Sequence, residues 1–284
     1  MLVLSRSDID RALTMPEAIA TMRSAFSQLS SGDARVPIRG LLESRSGVTL
    51  TMPAYLAGTH ALAVKVVSVF QKIHGAVLVL NPDTGRAEAL LDGASVTAWR
   101  TGAASGLATD LMAKPDARVL VIFGAGAQAP RQIEAVRAVR PIQEVRTIRR
   151  GASFSLADAD VIVTATNSAV PLFPFSSLPP SVHLNAIGSF RHDLRELDDE
   201  TMRRAAVVVD QREAALAEAG EIIQSGCDIH AARGQLVAKT KSLPSDRPIT
   251  VFKSVGNAAQ DAAIAQLILA KARSLGLGQV VSLD

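Results

Sequence analysis

Residues 118–129, RVLVIFGAGAQA, constrain this chain more than any other stretch. The unbroken apolar run reads as a strand buried on both faces, as in parallel sheets covered by helices. Gly124, Gly126 and Ala129 follow it in G-x-G-x-x-G/A spacing. The first glycine permits a tight turn. The second lets the backbone approach a pyrophosphate, and the small third residue lets helix and strand pack closely. Phosphates would rest on the exposed amides of the helix that follows. Gly124, Gly126, Ala127 and Gln128 therefore form a candidate dinucleotide-binding turn. The glycine pattern is weak by itself, and its place between strand and helix gives it weight.

The rest of the second half fits an α/β reading. EVRTI, ADVIVTAT, SVHLNAIG, AAVVVD and FKSVG are strand-like and alternate with helical or loop segments, as parallel sheets require. NAAQDAAIAQLILAKARSLG, residues 257–276, reads as a closing amphipathic helix. The first half has another texture. Thr14, Pro16 and Glu17 signal a helix start with a capping box, and Ile19, Met22, Phe26 and Leu29 repeat at helical spacing up to Gly32. Short strands and a hairpin bend at NPDTG come next, then a helix of small residues, SVTAWRTGAASGLATDLMA. The expected organisation is an α+β unit over residues 1–114, joined by a C-terminal helix within 258–284, and a Rossmann-type unit over 115–257.

About twenty residues past the glycine turn, an NAD-binding sheet usually ends its second strand on an acid that holds the ribose hydroxyls. This chain has Arg149 and Arg150 there, and the next strand begins almost at once. A carboxylate would repel a 2′-phosphate, whereas arginine attracts one. The pair therefore points to NADPH, with NADH possible; a solvated basic bend is the bland alternative. Thr166, Asn167 and Ser168 end a strand at the sheet edge where ligands bind in this architecture.

Composition excludes several classes. With 48% hydrophobic and 20% charged residues the chain is globular rather than disordered. A net charge of +3 without any basic tract argues against nucleic acid and anionic membrane. The first 22 residues carry charges throughout, unlike a leader or a membrane span. Cys227 is the only cysteine, so no intrachain disulfide or multi-thiolate metal site can form, and a reducing cytoplasmic setting is expected. His60, His74, His183, His192 and His230 show no metal-ligand spacing. No metal is expected. Trp99 reads as core.

VPIRG, ALAVKVVS, TAWRTGAASGLATDLMA, FGAGAQA, ADVIVTAT, HLNAIGSFRHDLREL, VVVD, EAGEI and FKSVGNAAQD occur in order from residue 36 to 261. Together they resemble the ornithine cyclodeaminase/mu-crystallin family over almost the whole chain. The resemblance implies a homodimer with a substrate-binding and dimerisation unit and a Rossmann unit. It also implies that Arg39, Lys65 and Arg100 hold a substrate carboxylate. Chemistry supports that trio: arginine grips a carboxylate by paired charge-assisted bonds, and lysine adds a point charge. Lys65 interrupts the apolar run ALAVKVVSVF, where a charge is costly unless paired. Asp210 matches a position the family keeps near the cofactor, and reads equally as a helix N-cap.

Two departures from the family follow. Where ornithine cyclodeaminases carry an acid that contacts the substrate amine, this chain has Phe190, followed by Arg191 and His192; Asp193 is out of register. A phenyl ring cannot pair with an ammonium, which disfavours ornithine. The family also places a helix and a strand where only residues 149–160 remain here, about the minimum for a parallel crossover. That shortens the sheet, which is expected to have fewer strands than a full Rossmann domain, on its adenosine side. The expected function is NAD(P)H-dependent reduction of a small cyclic ketimine such as pyrroline-2-carboxylate, with Lys65 as proton donor or relay. The alternatives are an amino-acid dehydrogenase of alanine type, an ornithine cyclodeaminase, and a low-turnover NADPH-binding protein.

Overall fold

The computed structural model describes residues 1–282. The chain divides into two compact units, Met1–Arg100 together with the segment from Asn257 onward, and Thr101–Gly256. The division falls inside the helix Gly93–Met112.

In the first unit the helix Met15–Ser31 begins where its sequence predicts, with Glu17 accepting from Thr14 N and Oγ1, and ends at Gly32 with φ 84°. The sheet beside it is mostly antiparallel. Its order is Gln279–Val280, Leu2–Leu4, Ala87–Asp92, Ile73–Leu80, Ala61–Val69, Gly47–Leu56 and Ala34–Arg35, with Gly40–Ser44 paired on Gly47–Leu56. Strand alternation decides where Lys65 goes. Ala61, Ala63 and Lys65 fall on one buried face, and the cross-strand neighbours of Lys65 are Met52 and Val77, both buried. A period-two strand in this register has no way to turn Lys65 outward without exposing its whole apolar set.

The helix Ala258–Leu275 packs against the strands carrying Lys65, Met52 and Val77. It is not the amphipathic helix that the sequence suggests, because residues 258–265 are buried on every side. The run of alanines explains this: small side chains let the helix be enclosed all round rather than along one stripe.

The second unit is built on seven parallel strands, in the order Ala231–Ala232, Ala206–Val209, Ile249–Lys253, Val182–Ala186, Val161–Thr164, Val119–Phe123 and Glu144–Ile148. The expectation of fewer strands than a full Rossmann sheet is wrong as a count. Strands at the far side, one of only two residues, make up the number. The shortening is local. Glu144–Ile148 is an edge strand, and between Ile148 and Val161 there are turns and no helix.

That crossover is fixed at several points. Leu156 is buried, and Phe154 meets Phe123 edge-on at 5.0 Å between ring centres. Arg146 forks onto Asp158 with bonds of 2.7 and 2.5 Å. Asp160 accepts from the amides of Arg118 and Val119 at 2.7 and 3.0 Å.

Candidate functional site

In the first unit, Lys65 and Arg100 converge on one carboxylate. Lys65 Nζ lies 2.9 Å from each oxygen of Asp261 and 3.4 Å from Thr97 Oγ1. Arg100 Nε is 3.3 Å from Asp261 Oδ1, and its Nη1 donates to Gln260 Oε1 at 3.0 Å. Exposure is 3% for Lys65, 9% for Arg100 and 1% for Asp261. Burial brings the Lys65 ammonium down to a pKa of about 8; Asp261 opposes this, while Arg100 and Arg39 push in the same direction. Arg39, half-buried just before Gly40–Ser44, is thus close enough for Lys65 to feel its charge.

Sequence reasoning missed Asp261 and Gln260. In the first turn of a helix, an acid reads as a surface residue favoured by the helix dipole. A usable signal was nevertheless present. Asp261 is a lone charge in an alanine-rich run and Lys65 a lone charge in an apolar strand, and two such charges lower their burial cost by meeting.

In the second unit, Gly124 has φ 102°, and a Cβ on it would lie 2.5 Å from the Ala165 carbonyl oxygen. The fold itself requires glycine there. Gly126 differs, since a Cβ on it would meet nothing within 4 Å, so no protein neighbour explains its lack of a side chain. Ala129 opens the helix Ala129–Arg137 and packs with Leu120, Ile122 and Val163. Gln128 gives that helix no side-chain cap, and Ala127 stands exposed beside it.

Past the glycine turn lies a cleft of about 870 Å³, lined by Gly124, Arg149, Arg150, Phe154, Thr166, Asn167 and Ser168 among others. Arg149 and Arg150 are exposed. Among the described residues neither side chain makes a hydrogen bond or ion pair, unlike Arg146 on the same strand.

A buried network holds the opposite wall. Glu196 accepts from Thr166 N at 2.6 Å, Thr166 Oγ1 at 2.8 Å, Thr164 Oγ1 at 2.9 Å and Gly188 N at 2.8 Å. Burial lifts the Glu196 carboxyl above the usual range, and Lys253 opposes that. Lys253 lies 3.1 Å from Glu221 and donates to Ser189 O and Oγ at 2.6 Å each. Glu196, Glu221 and Lys253 stand in segments that carry the family resemblance, yet chain spacing gives no hint that they meet.

Asp210 does not cap a helix. The following helix, Arg212–Glu218, has Gln211 at its N-cap position, without a side-chain cap bond. The Asp210 oxygens instead take Gln211 N, Ser254 Oγ and Gly256 N at 2.9, 2.9 and 2.7 Å, which ties two strand ends together. Asp193 forms an exposed pair with its neighbour Arg191, and Phe190 is half-buried. Trp99 is core, with Nε1 donating to Asp10 at 2.9 Å. His183 is buried against Thr250 Oγ1 at 2.9 Å, and burial takes its pKa to about 3, so it stays neutral. His74 and His192 are exposed. Among the described residues no cluster of His, Cys, Asp and Glu is arranged to hold a metal ion, and no helix is long and apolar enough to cross a membrane.

A model of the ornithine cyclodeaminase/mu-crystallin family matches residues 1–155 and 149–276. The two matches overlap on the short crossover. A Delta(1)-pyrroline-2-carboxylate reductase of Bacillus cereus is 36% identical over 98% of this chain and 99% of its own length. The alignment runs to 322 residues, longer than this 284-residue chain, so the relative has segments that this chain lacks. Among solved structures, the Thermococcus litoralis Delta(1)-pyrroline-2-carboxylate reductase in complex with NADH and L-proline is similar at 36% identity and a TM-score of 0.91, covering 99% of this chain and 100% of that one. An archaeal alanine dehydrogenase dimer with bound NAD is similar at 29% identity and a TM-score of 0.92, covering 100% and 99%.

Proposed function

This chain belongs to the ornithine cyclodeaminase/mu-crystallin family, and from that premise we propose that it reduces a small cyclic ketimine carboxylate, of which pyrroline-2-carboxylate is the type, with NADPH. One observation carries the reading. Lys65 and Arg100 are buried, and they share the single carboxylate of Asp261. Two cations against that one carboxylate leave the pair a positive charge, and Lys65 also feels the charge of Arg39. An anion offsets that surplus, and a carboxylate suits an arginine fork.

In this reading Arg39 and Arg100 hold and orient the carboxylate. Lys65 supplies a proton to the ring nitrogen, which leaves an electrophilic iminium at carbon 2. With a pKa of about 8, Lys65 is mostly charged at neutral pH, yet it releases a proton far more readily than an exposed lysine does. When bound, a reduced nicotinamide would supply the hydride for carbon 2, and the product would be the cyclic secondary amine. Lys65 then recovers its proton from water. No strong base is needed; positioning and charge control suffice.

The cleft of the second unit fits a dinucleotide. Gly126 leaves open space where a side chain would stand, and the adjoining helix start has no side-chain cap. Gly124, Gly126, Ala127 and Gln128 would hold the pyrophosphate, and Thr166, Asn167 and Ser168 would line the wall toward the nicotinamide. Arg149 and Arg150 would meet a 2′-phosphate, and their lack of partners among the described residues supports this preference over NADH. Asp210 would act only through the loop it holds.

The active form proposed is a homodimer in the cytoplasm. Ile38, Leu41, Leu42, Phe70 and Ile73 are exposed large apolar residues of the first unit, and a protein partner would cover surface of this kind. Light scattering on the purified protein would give a dimer mass; a monomer would remove that part of the reading.

The deciding experiment mixes the protein with NADPH or NADH and a panel of substrates, following the near-ultraviolet band of the reduced nicotinamide. Cyclic imino carboxylates should be reduced fastest, and NADPH should outperform NADH. Faster turnover of a 2-oxo acid with ammonium would make the chain an amino-acid dehydrogenase. Ammonia release from ornithine would make it a cyclodeaminase. Tight cofactor binding without any turnover would make it a binding protein.

A further inference from the structure

Lys65 is the buried lysine of the first unit, and the charged groups that act on it most strongly come from three elements. Asp261 comes from the helix Ala258–Leu275, and Arg100 from Gly93–Met112, which also brings the Thr97 hydroxyl. Arg39 acts from the segment before Gly40–Ser44. The flanking strands offer only Met52 and Val77, both apolar. Asp261 is the acid that works on Lys65 against burial and the charges of Arg100 and Arg39.

We propose that Asp261 is the positioning residue of this site: its carboxylate holds the Lys65 ammonium charged and aimed, and ties Arg100 to the same point. An ammonium has three N–H groups. One is committed to Asp261 at 2.9 Å and one, loosely, to Thr97 at 3.4 Å. The third is left for a substrate atom. The two cationic groups would otherwise repel across a dry interior, where like charges disfavour each other's charged forms. Asp261 is the group that lets them stand together. The electrostatics agree: burial, Arg100 and Arg39 all drive Lys65 toward the neutral amine, and Asp261 resists.

The proposal rests on the ketimine-reductase reading, since an aimed and charged Lys65 matters only if Lys65 gives up a proton. Its sign follows directly. A donor must be protonated, so wild-type kcat/KM should fall as pH rises through about 8. Asp261→Asn keeps the shape and removes the charge. Its alkaline fall should begin at least one pH unit lower, with kcat/KM reduced at least tenfold at neutral pH. Asp261→Glu restores the charge but displaces the carboxylate by one methylene. Its fall should return to near pH 8, with a lower plateau in kcat.

The test is the pH dependence of kcat and kcat/KM for the three proteins with pyrroline-2-carboxylate and saturating NADPH. Beside it runs a titration of the 13C-lysine side-chain resonances, with Lys65 assigned by Lys65→Met. An Asn variant slowed by one factor at every pH, with its alkaline limb unmoved, would overturn the proposal; a merely structural acid gives that result. Should the Asn variant not fold, the Glu variant decides: wild-type kcat there sinks the positioning role. Should the wild type reduce no imino acid, the ketimine reading fails. The resonance titration still reports whether Asp261 sets the charge of Lys65.

Discussion

Lys65 and Arg100 lie dry around a shared carboxylate, whereas Arg149 and Arg150 stand in water at the end of an edge strand, without partners among the described residues. Both pairs suit anions, but the physics differs. A buried cluster has its geometry fixed by packing, so an incoming carboxylate meets groups already aligned and little rotamer entropy remains to be lost. The exposed pair is mobile and hydrated, and its attraction is screened. The first arrangement selects shape and charge together; the second mainly biases charge. The contrast predicts that damage to the buried cluster abolishes chemistry, while damage to the exposed pair retunes cofactor choice.

The largest effect should come from Lys65→Met. It removes the proposed proton donor, so the loss should appear in kcat as well as in KM. It also leaves Asp261 buried with Arg100 as its remaining charged neighbour in the cluster. Breaking a buried pair typically costs about 3–5 kcal/mol, and Arg100 should keep the loss toward the lower end. Denaturant unfolding beside steady-state kinetics separates the two effects. An unchanged kcat would show that Lys65 is a structural cation.

Arg100→Met should follow. It strips the substrate carboxylate of a charge-assisted partner in a partly desolvated site, a loss on the order of 2–5 kcal/mol, or roughly thirty-fold to several thousand-fold in kcat/KM. The affinity for NADPH should hardly change. If a folded variant turned over imino acid with wild-type constants, the clamp would have to be placed elsewhere.

How far these sites could be read from the sequence follows from the same contrast. The strand–turn–helix at residues 118–137 was legible because local pattern fixes it: five apolar residues, a glycine whose φ the turn demands, and a helix of the expected length. Lys65 was legible as a charge in a strand that had to be buried. Asp261 was not, since its role depends on a partner 196 residues away, and local pattern assigns it to solvent. The same limit hid Glu196, Glu221 and Lys253. It also spoiled the strand count, because a two-residue strand such as Ala231–Ala232 has no periodicity to read. The short crossover could be seen as a gap in the sequence, but its anchoring by Arg146, Leu156 and Asp160 could not.

A smaller effect is expected at the exposed pair. Replacing Arg149 by Gln and Arg150 by Glu should weaken NADPH by about tenfold, the low end for charge-assisted bonds because these groups are solvated. NADH should lose less, so the preference narrows or reverses. Titrating both cofactors into both proteins measures it. An unchanged preference would make the two arginines a solvated bend.

The smallest effect needs no mutation and sets the two regions against each other in one protein. Screening reaches about 10 Å at 0.1 M salt and acts chiefly on exposed charges. Raising sodium chloride from about 50 mM to about 500 mM should therefore weaken NADPH several-fold, through Arg149 and Arg150. The KM for the imino acid should move less, because Lys65 and Arg100 sit almost out of solvent. NADH, which has no 2′-phosphate, should respond less than NADPH, so salt should narrow the preference much as the double substitution does. Two outcomes would break the comparison. A KM that rises as steeply as the NADPH dissociation constant would mean that small anions enter the buried cluster and compete there. Equal salt slopes for NADPH and NADH would mean that the exposed arginines do not read the 2′-phosphate, whatever their position at the strand end.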